Sequence, residues 1–172
     1  MGTKFKDIFK NELLDAAHLK SLQIDCLIET DLEVLIPREY IESTTERLNL
    51  YTKLDNIKED EGLVTFKKDL EDRFGPAPKV VDDLIKSVKI RWLGIQLGFE
   101  KVLLKASAMK CYIKTEGNNE YIQSNRFGQI LSFAREPSNK CKISEYRGKI
   151  LLFVNDIPNI DQAFKLLEQI LK

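Results

Sequence analysis

The chain has a single histidine, His18, near its N-terminus. Neither a histidine-containing metal site nor a Ser-His-Asp or Cys-His relay can therefore be assembled in the body of the chain. His18 itself reads as a surface or docking residue. Glycine is sparse too: the eight residues are scattered and never spell GxxxxGK[ST], so the phosphate cradle of Walker-type nucleotide hydrolases is missing and ATP binding is not expected. Cysteine is limited to Cys26, Cys111 and Cys141, an odd number with no CxxC pair. That fits reduced thiols filling strands in a reducing compartment, and neither a disulfide framework nor a zinc site. No stretch approaches the roughly 20 apolar residues of a membrane span. The opening MGTKFKDIFKNELLDA carries charge in every turn, unlike a secretory signal. A cytoplasmic protein with no membrane segment is expected. Nor is there a charge excess: Lys plus Arg and Asp plus Glu balance at 27 each, leaving no overall field to gather nucleic acid or anionic lipid.

What is present suits an ordinary globular fold. The 172 residues are 43% apolar and 31% charged, enough to bury one core, and contain no internal repeat or low-complexity segment. Phe5, Ile8, Phe9, Leu13 and Ala16 recur at helical spacing and predict an amphipathic arm over 4–22. From Ile24 to Ile36 alternation predicts one extended strand, broken near Asp31 and ended by Pro37. Ser43-Thr44-Thr45-Glu46 reads as a capping box opening a helix over about 43–58. Lys58 to Gly62 reads as a solvated corner. Leu63, Phe66, Leu70 and Phe74 predict a second helix with one apolar stripe. Gly75-Pro76 ends it, and a long helix from Pro78 to Gly98 follows. Beyond Gly98, where a subdomain seam is conceivable, short strands are predicted at 101–105 and 109–114, and a turn at 116–119. A helix capped by Ser124 or Asn125, a hairpin of 141–146 with 149–154, and a closing helix from Asn159 or Asp161 complete the order. The sum is an α+β fold, expected as a single compact domain with helices around one early strand, then short antiparallel strands mixed with helices.

Within the second helix, Asp69, Asp72 and Arg73 fall together on a flank of the apolar stripe at about 100° per residue. They are available to a partner. The bland reading is an Asp69–Arg73 pair at i, i+4, contributing a few tenths of a kcal/mol. Acid–base catalysis by Asp69, Glu71 and Asp72 would need a cleft that separates their pKa values, which an exposed flank does not supply. A basic set of Arg126, Arg135, Lys140, Lys142, Arg147 and Lys149 lies near Phe127, Phe133 and Tyr146 and offers a weak nucleic-acid signal, since the aromatics sit at core spacing.

Three short motifs occur in order: Ile36-Pro37-Arg38-Glu39-Tyr40-Ile41, then Glu46-Arg47-Leu48-Asn49-Leu50-Tyr51, then Asp69 to Pro78, DLEDRFGPAP. Together they resemble the C-terminal domain of bacterial transcription-repair coupling factors, over roughly residues 24–172, with 1–23 as an arm or linker. The resemblance implies a non-catalytic piece of a longer ATP-driven DNA translocase that displaces stalled RNA polymerase and recruits the UvrA protein of nucleotide excision repair. It implies no cofactor and no metal. It implies a regulatory domain packed on the UvrA-binding module of its own chain, with Asp69, Asp72 and Arg73 as the interdomain contacts and with UvrA and RNA polymerase as indirect partners. Direct DNA binding by this piece is not expected; the alternative reading is a nucleic-acid-binding module with a basic C-terminal face. The family usually has glutamate where this chain has Asp69, which shortens the reach of that contact.

Overall fold

The computed structural model describes residues 25–114 and 119–172. The arm expected over 4–22, His18 within it, the boundary at 23/24 and the turn residues 115–118 lie outside the described residues. Contacts divide the chain into two compact units, one containing Val34–Val88 and the other containing 25–33 together with Lys89–Lys172.

The first unit is helical. Helix α1 (Thr44–Asp55) starts at Ser43, whose Oγ accepts the Glu46 N–H at 3.2 Å. That is half of the expected capping box, because the Glu46 carboxylate is engaged elsewhere. Helix α2 (Asp60–Phe74) begins inside the acidic run read as a corner, with Asp60 and Glu61 where the helix dipole favours negative charge. It stops at Gly75, whose φ of 87° and ψ of −177° belong to glycine. Ile41, Leu54, Leu63, Phe66 and Leu70 are each 2% exposed, so both helical stripes turn inward as their spacing requires. Helix α3 (Lys79–Leu97) starts in this unit and ends in the other. The seam therefore lies within a continuous helix and not at Gly98.

The second unit holds β1 (Leu27–Thr30), β2 (Lys101–Lys105), β3 (Ala108–Lys114), β4 (Cys141–Tyr146) and β5 (Lys149–Asn155) in one sheet of order β1-β2-β3-β5-β4. β1 joins β2 in parallel and every other pair is antiparallel. The expected extended strand is thus only four residues long: the Leu27 to Thr30 segment finds an edge to pair with, whereas Leu32, Val34 and Ile36 have the alternation of a strand but no ladder. Two tight hairpins use residues at positive φ, Ala106-Ser107 and Arg147-Gly148. Val102, Leu104, Met109, Cys111, Ile113, Leu152 and Val154 are buried on one face of the sheet. Gly94 of α3 lies against that face, since a Cβ there would stand 3.7 Å from Val102 and 2.6 Å from the Cys26 sulfur. Helix α4 (Asn119–Ile122), not foreseen from sequence, precedes α5 (Asn125–Arg135), a 3-10 turn (Pro137–Asn139), and the closing α6 (Ile160–Leu171) capped by Asn159. The fold is α+β, with six helices and a five-stranded mixed sheet among the described residues. None of these helices is long and apolar enough to cross a membrane.

Candidate protein-contact site at the end of helix α2

The three motifs meet in the helical unit, and most of their polar side chains have work to do inside it. The Tyr51 hydroxyl oxygen accepts the Ile36 N–H at 2.8 Å, and the Arg47 guanidinium donates to the carbonyls of Ile41 at 2.7 Å and Glu42 at 2.9 Å. These bonds fix the chain reversal after Pro37, where an irregular segment would otherwise leave buried backbone groups unpaired. The Tyr40 hydroxyl donates to the Gly75 carbonyl at 2.6 Å, and its ring meets Phe74 edge-on at 6.1 Å. Burial, with the nearby Glu71 carboxylate as a smaller cause, raises the Tyr40 pKa and keeps the donor protonated. Glu71 Oε2 in turn accepts the Ala77 N–H at 2.8 Å, holding the Gly-Pro-Ala-Pro loop against the helix end. Neither bond is visible in the helical spacing.

Asp69, Asp72 and Arg73 are all exposed, on one flank of α2 as the spacing demands. They line a groove of about 280 Å³ between α1 and α2, floored by Leu50, Phe66 and Leu70, with Lys53 on the opposite rim. The i, i+4 pair is not made. The Arg73 guanidinium forms an ion pair with Glu46 of α1 and lies 4.7 Å from the Phe74 ring centroid, leaving its side chain 57% exposed. Among the described residues, neither Asp69 nor Asp72 has a hydrogen-bond or ion-pair partner. Leu70 is core as expected, while Phe74 is half-buried between Tyr40 and Arg73. Sequence reasoning passed over Lys53 and read Glu46 only as a helix cap; the roles they take here depend on how α1 lies against α2, which no local pattern encodes. The open groove leaves both aspartates in solvent, unlike the separated carboxyl environments of an acid–base pair.

The basic C-terminal set does not form one surface. Arg126 and Arg135 are nine residues apart on α5, and so on opposite sides of the helix. Arg126 donates to Gln129 at 3.2 Å and Phe127 is buried against Tyr121 at 5.6 Å between centroids, so its ring is not free to stack. Tyr146, 60% exposed, is the aromatic that this set presents to solvent.

Comparison with known proteins follows the same lines. The family model of the TRCF domain matches residues 30–124, which contain all three motifs. Curated relatives named transcription-repair-coupling factor include those of Rickettsia prowazekii (31% identity over 121 residues, 67% of this chain and 10% of the relative), Staphylococcus epidermidis (26% over 111 residues, 64% and 10%) and Bacillus subtilis (24% over 131 residues, 73% and 11%). The chain thus spans about a tenth of the length of these relatives. In fold it is similar to the crystal structure of a C-terminal domain of transcription-repair coupling factor, with a TM-score of 0.64, 19% identity, and coverage of 87% of this chain and 97% of that one. With its motifs knotted together in the helical unit and more than half of its length matched, this chain belongs to the TRCF domain family.

Proposed function

We propose that this chain is the non-catalytic regulatory domain of a cytoplasmic, bacterial transcription-repair coupling factor, and that it keeps the longer protein autoinhibited by packing the end of α2 on the module that binds UvrA. The observation that carries this reading is the lack of partners at Asp69 and Asp72. Tyr40, Arg47, Tyr51, Glu71 and Arg73 each serve the unit's own structure, whereas these two carboxylates are held out beside an apolar groove with nothing to bind among the described residues. A charged rim around a small apolar floor gives specificity with modest net affinity, which suits a lock that must open when RNA polymerase is engaged. Arg73, steadied by Glu46, presents its open edge beside them.

Charge reversal in the full-length factor tests the assignment. Asp72→Arg with Arg73→Glu is expected to unmask the UvrA-binding module and to raise apparent UvrA affinity roughly 5- to 150-fold, the range of a typical interdomain coupling. Unchanged masking, in a variant whose circular dichroism matches the parent, removes these residues from the contact.

A further inference from the structure

The sheet of the second unit has two unlike faces. Opposite the buried face, the register sets Lys101 beside Tyr112 and Leu151 in one row, and Leu103, Lys110, Phe153 and Lys142 in the next. None of these side chains is buried, and Tyr146 on the edge strand is 60% exposed. Among the described side chains, this face collects Lys101, Lys105, Lys110, Lys142 and Lys149, with the Glu29 carboxylate among them and that of Glu100 reaching Lys149, in a chain whose total charge is zero. Glu29 pairs with Lys101 at 3.4 Å, and Glu100, just before β2, pairs with Lys149. Lys105, Lys110 and Lys142 have no carboxylate partner among the described residues. The ammonium of Lys101 lies 5.5 Å from the Tyr112 ring centroid and that of Lys110 lies 5.7 Å from the Phe153 centroid.

We propose that this open face of the sheet binds single-stranded nucleic acid, stacking bases on Tyr112 and Phe153 and meeting phosphates with Lys110, Lys142 and Lys105. Flat rings set among cations on an accessible sheet are the elements that single strands need, because every base has a face to stack and every linkage a charge to neutralise. Tyr112 and Phe153 are diagonal neighbours on adjacent strands, about 7–8 Å apart by sheet geometry, which leaves room for a separate base on each. A base settling over either ring displaces the lysine towards the phosphate beside it. Double-stranded DNA presents no such base faces, so the single strand is the form that uses both halves of the surface.

The test is fluorescence anisotropy of labelled 12-residue oligo(dT) and oligo(U) with the 172-residue chain, from 50 mM salt upward. The expected result is micromolar binding whose log–log salt slope is about −2, as three phosphate contacts predict at −0.7 each. Lys110→Glu with Lys142→Glu should weaken binding at least tenfold, and Phe153→Leu, which keeps an apolar side chain but removes the ring, about fivefold or more. Circular dichroism checks that each variant is folded. Absence of salt-sensitive binding overturns the proposal, as does binding that survives the double reversal. Equal affinity for duplex of the same sequence removes the stacking role and overturns it too. Sedimentation showing self-association that the double reversal abolishes would give the face to a second copy instead. None of these readouts involves the α2 flank, so failure here and failure of UvrA unmasking are separate results.

Discussion

Tyr121 illustrates how one side chain can finish an element it does not belong to. From the short helix α4 its hydroxyl donates to the Leu97 carbonyl, one of the free acceptors at the C-terminal end of α3. Burial raises the phenol pKa well above its usual 10, with Arg126 opposing the shift, so the folded state holds the proton that the bond uses. An acid whose pKa is raised on folding stabilises fully below the unfolded pKa and loses that contribution as pH rises, because the unfolded chain gives up its proton first. Stability of the parent chain is expected to fall as pH rises above about 10, and a Tyr121→Phe variant, about 1 kcal/mol weaker at pH 7, should lack that part of the decline. Urea midpoints of the two proteins between pH 7 and 11 provide the check. Arg73 is the contrasting case: its exposure was legible from helical spacing, but its partner Glu46 was not, since the nearer Asp69 satisfied every local rule for a pair.

At the scale of elements, glycine marks two helix ends for different reasons. Gly75 closes α2 with φ at 87° and open space around it, so a methyl group meets only the backbone's own strain. Gly98 closes α3 at φ 86°, and a Cβ there would stand 2.2 Å from the Tyr121 ring. Gly75→Ala should therefore cost about 1–3 kcal/mol, and Gly98→Ala more, about 2–5 kcal/mol, because overpacking adds to strain and the Tyr121–Leu97 bond is lost with it. Chemical denaturation of both variants ranks them; equal costs would show that Tyr121 yields freely. Both stops were readable in the chain, as were α1 to α3, α5, α6 and the β4–β5 hairpin, for their signals are local: a 3.6-residue apolar period, a cap, a glycine. The length of β1 was not, because a strand exists only where another backbone offers it hydrogen bonds. Helix α4 spans a single turn, too short for any period to appear.

For the whole molecule, the sheet order predicts a gradient of protection. β3 is paired on both sides, by β2 and β5, while β4 pairs with β5 alone and carries mostly exposed side chains. Native-state hydrogen exchange should find the slowest amides of the sheet in β3 and the fastest among the outward-facing amides of β4. Uniform protection across the five strands would contradict the assigned order. Sequence by itself settled the α+β class, the helical stripes with their stops, and the outward direction of Asp69, Asp72 and Arg73, because each follows from periodicity along a few consecutive turns. Tertiary structure decided that Glu46 takes Arg73, that Lys53 stands across the groove, and that lysines balanced by acids over the whole chain gather on one side of a sheet. Strand pairing made that last choice: it sets Lys110 beside Phe153, residues far apart in the chain, and alternation turns their side chains to the same face.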